Sequence, residues 1–435
     1  MSLDPPEVTS CDVVLAAGRV TALGRAPDTA LRRDCSGMLI VPGNVCAHHH
    51  LYSALASGMP YRLAPPRNFT EILQRIWWRL DRALDEESVR ASALRGGLEA
   101  LLSGTTALLD HHASPNFIDG SLDVIADALG ELGVRSVLCY EVTDRDGPER
   151  ALAGLSENRR FLSRRRELAR GMVGAHASFT LSDETLAACA DAARAACTGV
   201  HIHVAEDAAD QRDSAERCGQ RVVERLHRAG IVNERALLAH CVHVDEAERR
   251  IVSAAGATVV CNPRSNMNNA VGYSPFSFGD TAHGARVALG TDGIGGDMVT
   301  ESQLGFFRAK EADVLTSPSW PLVRLAEGSR LVGRAYGESL MGTLRPGAPA
   351  DIVVYYLSPA PLHSGNLAGH WLFGLSPRQV RDVYVAGELV VEGHTSTRVD
   401  QARVAADAAV AARGLWQRMD DLPAHPYQPR GTGRA

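Results

Sequence analysis

The stretch Val41-Pro42-Gly43-Asn44-Val45-Cys46-Ala47-His48-His49-His50 joins two short apolar runs through a Pro-Gly break and ends in three histidines. A strand over residues 45–50 would place His48 and His50 on one face, because side chains alternate along a strand. Two imidazoles on one face make half of a metal site. The other ligands must then come from the ends of other strands.

The bulk composition is that of a globular protein with material for a large core: 435 residues, 45% hydrophobic and 22% charged. The net charge of −6, with no basic half or tail, argues against a nucleic-acid partner. The nine cysteines are scattered singly, which is typical of reduced thiols in a cytoplasmic enzyme. We read no signal peptide and no apolar run of membrane-spanning length, so we expect no membrane partner.

Between residues 45 and 342, short apolar strands alternate with amphipathic helices. This alternation predicts parallel strands with helical crossovers, and about eight such units suit an α/β protein of the (β/α)8 TIM-barrel type. The runner-up is an open doubly wound sheet, although no Gly-x-Gly-x-x-Gly follows any strand. Strands are predicted at 105–110, 135–141, 171–176, 199–204, 236–240, 258–262 and 286–290, and helices at 72–84, 87–103, 122–132, 150–170, 183–196, 214–229 and 246–255.

Both ends of the chain are rich in strands, which predicts that they combine into one small sheet domain. The predicted organisation is therefore residues 1–44 with 343–396 as the small domain, 45–342 as the barrel, and 397–435 as a C-terminal helix and tail. We expect the helix at 399–418 and a loosely ordered Pro/Gly tail after it. The arginine-rich run 159–170 is interpreted as a solvated helix face.

Titratable side chains follow most of the predicted strands. In a barrel, the carboxyl ends of the strands carry the reactive residues, and a core has no reason to place such groups there. These residues are His48 and His50, then Asp110-His111-His112, Glu141, His176, His201 with His203 and Glu206, His240 with His243, and Asp292.

Four of these residues, His48, His50, His203 and Asp292, form a plausible ligand set. Three imidazoles and one carboxylate suit zinc or ferrous iron with a position left for water, and we favour one divalent ion, zinc over iron. The bound water would ionise near neutral pH. Glu206 could then shuttle a proton to a leaving group, and Asp292 could accept the first proton.

Three further histidines have separate expectations. His240 could polarise the electrophile or orient the hydroxide. His49 faces away from the two ligands beside it, which predicts a packing or supporting role. His201 shares a strand face with His203 and could compete as a ligand, but its deeper position favours a buried, hydrogen-bonded role.

Several motifs resemble the amidohydrolase superfamily: PGNVCAHHH, HVAED, AHCVH, NPRSN and LGTDG. More narrowly, they resemble the aminohydrolase and chlorohydrolase branch with triazine hydrolases and guanine and nucleoside deaminases. The longer stretches LYSALASGMP, EILQRIWWRLD and HASFTLSDETL are similar to the SsnA-like aminohydrolase group. The resemblance spans about residues 38–393.

The resemblance implies the same metal ligands, Glu206 as proton shuttle and His240 as a further catalytic histidine. It also implies substrate contacts from Glu99 and His176, a composite β-sandwich built from both chain ends, and a homodimer or larger homo-oligomer. No strand end offers a lysine that could be carbamylated, which favours a single metal ion. The triplet HHH stands where His-Thr-His is common, and Asp110-His111-His112 differs from the nucleoside deaminases.

The remaining candidates for a polar substrate pocket are His112, Arg264, Asn266, Asp297 and Trp77. We hypothesise a metal-dependent hydrolase that deaminates an amidine- or guanidine-like carbon, in a nitrogen heterocycle or related small molecule. Two alternatives stay open: hydrolysis of a C–Cl or cyclic amide bond by the same site, and a catalytically silent binding scaffold. A nucleic-acid-editing deaminase is disfavoured because the His-x-Glu…Pro-Cys-x-x-Cys signature is absent.

Overall fold

The chain begins with short antiparallel strands before it enters a barrel. The computed structural model describes residues 2–277, 284–357 and 360–431. The first strands are β1 Ser2–Leu3, β2 Pro6–Glu7, β3 Asp12–Ala16, β4 Arg19–Gly24 and β5 Met38–Pro42. β1 pairs with β2, and β3 pairs with β4. Only one residue, Gly43, separates β5 from the first barrel strand.

Eight parallel strands form the barrel, and a short ninth strand, β9, pairs beside β8. Their apolar side chains alternate between the barrel interior and the surrounding helices, so both faces are buried. The strands are β6 Asn44–His49, β7 Thr105–His112, β8 Arg135–Val142, β9 Ala169–Gly171, β10 Val173–Ala177, β11 Val200–Val204, β12 Leu237–His240, β13 Thr258–Cys261 and β14 Arg286–Leu289.

The ring closes between β14 and β6. His49 and Asp292 form a parallel bridge. The backbone N–H of Thr291 donates to the carbonyl of His48 at 2.9 Å, and that of His50 donates to the carbonyl of Asp292 at 3.2 Å. An open sheet would leave these two strands at opposite edges, so the doubly wound alternative is wrong and the predicted TIM barrel is confirmed.

Helices cover the barrel, and a 3₁₀ turn at Leu51–Ala56 follows β6. None of the helices in the described ranges has the length and apolar character needed to cross a bilayer. The α-helices are α1 Phe69–Ile72, α2 Trp78–Ala83, α3 Glu86–Leu102, α4 Ser121–Leu132, α5 Pro148–Leu162, α6 Asp183–Ala195, α7 Ala208–Cys218, α8 Val222–Arg228, α9 Glu246–Ala254, α10 Pro263–Asn268, α11 Met298–Ala312, α12 Trp320–Tyr336, α13 Leu367–Phe373 and α14 Gln401–Asp420.

Three predicted helices differ from the structure. The helix expected at 150–170 ends at Leu162, because the chain must turn back to place β9 beside β8. The helix expected at 214–229 is two helices, since Gly219 adopts a left-handed conformation (φ +63°) that ends α7. The helix expected at 72–84 is interrupted by a π-helical turn at Leu73–Trp77, a device common near functional sites.

Both chain ends contribute to a five-stranded antiparallel sheet, as predicted. Its later strands are β15 Ile352–Tyr356, β16 Val380–Val385, β17 Glu388–Glu392 and β18 Thr395–Ser396. The order β18-β17-β16-β15-β5 places the N-terminal strand beside β15. A buried bidentate ion pair joins barrel residue Arg135 to Asp351 at 2.7 and 2.9 Å. The division into domains at 44 and 343 stays a prediction.

The expectation of a loosely ordered tail is wrong for the described residues to 431. His425 is buried, and its backbone N–H donates to the carbonyl of Gln74 at 2.8 Å. The amide of Gln74 donates in turn to the carbonyl of Tyr427 at 2.6 Å, and the Tyr427 hydroxyl donates to the carbonyl of Phe179. The tail therefore packs across the mouth of the barrel, against the π-helical segment.

Candidate metal centre and active-site cleft

The four predicted metal ligands meet at the carboxyl end of the barrel. One ligand atom each from His48, His50, His203 and Asp292 lies within 4.8 Å of all the others. Nε2 of His50 is 3.2 Å from Nε2 of His203 and 3.1 Å from Oδ1 of Asp292. Nε2 of His48 is 3.8 Å from the same carboxylate oxygen. Ligands about 2.0–2.1 Å from a tetrahedral zinc ion would lie roughly 3.3 Å apart, so the spacing fits.

Hydrogen bonds at Nδ1 orient all three imidazoles. His50 donates to the carbonyl of His111 at 2.6 Å, and His203 donates to the carbonyl of His176 at 2.7 Å. Nδ1 of His48 lies 2.8 Å from Nε2 of His201. With the proton held at Nδ1, each Nε2 presents its lone pair to the centre, as metal-bound histidines do.

Two observations indicate that the cluster is built for a cation. The Nε2 lone pairs of His50 and His203 face each other at 3.2 Å, an arrangement that is repulsive without a positive charge between them. Nε2 of His48 is buried and has no hydrogen-bond partner in the described structure, although buried polar atoms normally have one. The donor set therefore fits a divalent metal ion.

Glu206 and His240 lie beside the ligand Asp292. Nε2 of His240 is 3.5 Å from Oε2 of Glu206 and 3.8 Å from Oδ2 of Asp292. Nδ1 of His240 donates to the side-chain oxygen of Asn266 at 2.9 Å. These residues sit where strands end in left-handed backbone, with φ of +72° at His240 and +55° at Asp292. Such strain is often concentrated at functional sites.

Burial controls the protonation of this group. It raises the pKa of Glu206 well above its usual range, and the nearby charge of Asp292 adds to this effect. Burial lowers the pKa of His240, although Asp292 partly opposes the shift. Glu206 is therefore suited to hold a proton near neutral pH while His240 stays neutral.

The two remaining histidines of these strands support the ligands from behind. His49 points away from the centre, and its Nδ1 lies 2.9 Å from the Thr291 hydroxyl. His201 lies behind His48 and makes the Nδ1 contact described above, rather than joining the cluster. Both arrangements agree with the roles expected from strand alternation.

A cleft of about 740 Å³, including space open to solvent, extends from the metal cluster. Its aromatic wall is built by five side chains, four of them between residues 52 and 78 and one at residue 179. The cleft is also lined by carboxylates, and no lysine or arginine is among the described lining residues. The lining includes Tyr52, Phe69, Trp77, Trp78, Phe179, Asp81, Glu141, His176, Glu206, Asp207, Asp210, Asn269 and Asp292.

Of the predicted substrate contacts, His176 lines the cleft, and so does Trp77. Asn266 instead holds His240, and Asp297 caps α11 by accepting from the backbone of Val299 and Thr300. The other three lie outside the described lining: Arg264 pairs with buried Glu301, His112 lies 2.8 Å from the Ser114 hydroxyl, and Glu99 is on the exposed face of α3.

Asp81 is a cleft residue that sequence reasoning missed. It lies on α2, and its side chain is 2% exposed. Its Oδ1 has no hydrogen-bond partner in the described structure. A signal existed, since Asp81 follows Trp77 and Trp78 by four and three residues and so shares their helix face.

A buried ion network stands behind this wall. The Arg145 guanidinium, with 1% of its side chain exposed, binds Asp81 through Nη2 and Glu141 through Nη1 at 2.7 Å. Its Nε lies 3.3 Å from Asp146, and Nε2 of His425 in the tail lies 3.2 Å from the same carboxylate. The network connects α2, β8 and the tail at one point. Although burial opposes it, the charges of His176 and Arg145 hold the pKa of Glu141 well below its usual range.

Comparison with known proteins supports one family. The family model "Amidohydrolase family" matches residues 39–390. The chain belongs to the amidohydrolase family. This confirms the predicted family and its class of hydrolase.

The curated relatives of this amidohydrolase cover most of its length. A 5-methylthioadenosine/S-adenosylhomocysteine deaminase of Desulforudis audaxviator is 29% identical over 428 residues, 93% of this chain and 94% of the relative. The protein of the same name from Symbiobacterium thermophilum is 30% identical, covering 79% of each. A 5'-deoxyadenosine deaminase of Methanopyrus kandleri is 29% identical, covering 87% and 86%.

Solved structures support the fold of this amidohydrolase. A zinc-bound adenosine deaminase from Xanthomonas campestris superposes with a TM-score of 0.81 at 24% identity, covering 97% of each chain. Atrazine chlorohydrolase of Arthrobacter aurescens, complexed with zinc, has a TM-score of 0.79 at 21% identity, covering 93% and 96%. At these identities the likeness concerns the fold alone.

Proposed function

We propose that this protein hydrolytically deaminates an amidine- or guanidine-like carbon in a nitrogen heterocycle. In this reaction water replaces the amino group, a carbonyl forms and ammonia leaves. The observation that carries the proposal is the three-histidine, one-aspartate cluster with Glu206 and His240 directly beside it. The deaminase relatives at about 29% identity support the same reaction.

His48, His50, His203 and Asp292 would hold one divalent ion, for which we propose zinc. Neutral imidazoles with a single carboxylate suit zinc, and no thiolate takes part. When bound, such an ion lowers the pKa of a water molecule towards neutrality and so supplies the nucleophile. Metal analysis of protein purified without chelator should give one equivalent of zinc per chain. A different metal at one equivalent would contradict the zinc assignment alone.

Glu206 would act as the proton shuttle. Its raised pKa lets it hold a proton near neutral pH, and it borders the cleft. It donates a proton to the ring nitrogen next to the reacting carbon, takes one proton from the attacking water and passes it to the departing amine, and recovers the second water proton as the carbonyl forms. Its distance of 3.5 Å from His240 allows the two side chains to work on the same water molecule.

His240 would orient the attacking water. Its Nδ1 donates to Asn266, and its lowered pKa keeps the ring neutral, so Nε2 is an acceptor. Asn266 thereby becomes a positioning residue for His240. We prefer this role to polarisation of the electrophile, because a neutral imidazole protonated at Nδ1 has no hydrogen to donate from Nε2.

The test is ammonia release by Glu206→Gln, measured on aminopurines, aminopyrimidines, aminotriazines and guanidino compounds. We expect turnover to fall about 10²- to 10⁴-fold while the metal content stays at one equivalent. Glu216→Gln, an exposed position on α7, is the control and should match the wild type. Unchanged turnover in Glu206→Gln would contradict the proposed proton shuttle. Halide release without ammonia would contradict deamination itself.

A further inference from the structure

The cleft is lined by more carboxylates than deamination requires. Apart from Glu206 and Asp292, its described lining carries Asp81, Glu141, Asp207 and Asp210, with no arginine or lysine. Asp210 is already satisfied, because its two oxygens accept from the backbone N–H groups of Phe179 and Ala205. Asp207 caps α7, with its side chain accepting from the backbone N–H of Ala209. The unbalanced part of the wall is therefore the Arg145 network.

Arg145 cannot balance its three carboxylate neighbours. Arg145 contacts Asp81, Glu141 and Asp146, and Arg150 lies 3.8 Å from Asp146, which leaves one negative charge if all three carboxylates are ionised. His425 needs no positive charge to contact Asp146, because its Nδ1 accepts from the backbone N–H of Tyr427 and its Nε2 can donate as a neutral ring. Buried carboxylates without compensation are costly.

Asp81 is the member of this network that borders the cleft with a buried oxygen lacking a hydrogen-bond partner in the described structure. Arg145 binds its Oδ2, whereas its Oδ1 has no partner, and the residue lines the cleft. Arg145 lies 5.3 Å from the ring of Trp78 and its side chain is 1% exposed, so it is held behind the wall and does not face the cleft to meet an anion. A ligand group that fits here must donate a hydrogen bond and carry positive charge.

The position of Asp81 places the ligand group that would bind it away from the metal cluster. Glu141 lies beside the metal ligands, since its oxygen is within 4.8 Å of ligand atoms of His50 and His203. Asp81 is on the other side of the Arg145 guanidinium from Glu141. The aromatic rings of Trp77 and Trp78 border the same cleft, and such rings stack on heterocycles and attract cations.

We infer that the substrate is a cationic amino-heterocycle, with a protonated amine or similar group that binds Asp81 at a distance from the reacting carbon. The inference rests on the proposed function and narrows its substrate class. Substrates that carry a phosphate or carboxylate at this position are excluded, because no arginine or lysine of the described lining could compensate their negative charge.

The test uses matched triplets of compounds that differ only in the charge of one arm. On an adenosine core these are 5'-amino-5'-deoxyadenosine, 5'-deoxyadenosine and adenosine-5'-carboxylate. On a diaminotriazine core the arm is aminopropyl, butyl or carboxyethyl. For at least one core we expect kcat/KM for the cation to exceed that of the neutral compound about tenfold or more, as a charge-assisted contact would give. The preference should shrink as salt is added.

Two variants separate recognition from folding. Asp81→Asn should bring the cation-to-neutral ratio close to one. Asp146→Asn removes a carboxylate from the same guanidinium but does not line the cleft, so it should keep most of the preference. If the neutral or anionic arm is preferred on both cores, or if both variants lose the preference equally, the inference is overturned.

The experiment gives a different result if the proposed reaction itself is wrong. If no compound on either core releases ammonia, deamination of these heterocycles is contradicted. Binding of the cationic arm is then tested by the melting temperature of the metal-loaded wild type with each compound. A larger stabilisation by the cationic arm, reduced in Asp81→Asn, supports the inference. Equal or smaller stabilisation overturns it.

Discussion

The metal cluster and the Arg145 network border the same cleft but are held in place by different means. The cluster is carried by the carboxyl ends of the barrel strands β6, β11 and β14, and the bridge between His49 and Asp292 joins the first of these strands to the last. The network draws on α2, the loop after β8 and the C-terminal tail, which are joined by buried ion pairs and by side-chain packing on Trp78. Backbone pairing therefore sets the chemistry, and side-chain electrostatics set the shape and charge of the wall.

Removal of a metal ligand should have the largest effect and leave the fold intact. In His203→Ala, we expect metal content well below 0.1 equivalent and deamination reduced by about 10³-fold or more, because metal-assisted hydrolysis depends on the ion. Circular dichroism should be unchanged, since the strand pairing of β11 stays in place. His227→Ala, an exposed histidine on α8, is the control. A variant that unfolds would show that the cluster is also needed to hold the strands.

Removal of Arg145, in contrast, should greatly lower the free energy of unfolding. Arg145→Met leaves three buried carboxylates without their cation, and breaking such a pair costs about 3–5 kcal/mol of unfolding free energy. Urea denaturation of the metal-loaded protein measures this cost. Arg194→Met is the matched control, because its pair with Asp191 is largely exposed and contributes at most about 1 kcal/mol. Equal losses in the two variants would contradict the role of the network.

The pH dependence of stability should report on Asp81. Burial raises its pKa to about 7, although Arg145 opposes the shift. Its pKa in the unfolded chain is near 3.9, so between these values the folded protein holds the extra proton and stability decreases as pH rises. From pH 5 to pH 7, the wild type should lose stability relative to Asp81→Asn by on the order of 1 kcal/mol per pH unit. A constant difference across this range would show that the carboxyl does not titrate there.

The smallest effect is expected at Glu99. Its side chain is on the exposed face of α3, outside the described lining of the cleft. Glu99→Gln should therefore change kcat/KM less than about twofold for any compound that Asp81→Asn affects. A loss comparable with that in Asp81→Asn would mean that α3 moves to bring Glu99 into the site when substrate binds.

The difference between the metal cluster and the Arg145 network explains which residues could be predicted from the sequence. His48, His50, His203, Glu206 and Asp292 were identified because each follows a recognisable strand, and parallel strands bring their carboxyl ends together. Asp81 was missed because it lies on an ordinary helix and nothing local marks it as a contact of Arg145. Glu99 was expected from the family resemblance, and Arg264 and Asp297 as parts of a polar pocket, but in the structure the latter two form a buried ion pair and a helix cap.

By itself, the sequence predicted the barrel, the candidate ligand set and the candidate proton-transfer residues, because strand periodicity and residue type are local properties that indicate which residues lie at strand ends. Only the tertiary structure decided the closure of β14 on β6, the break in the helices around Gly219 and the packing of the tail on Trp78. It also decided the charge of the substrate wall. Such features depend on contacts between residues that are far apart in the sequence, such as Asp146 and His425. These contacts form only when the chain folds.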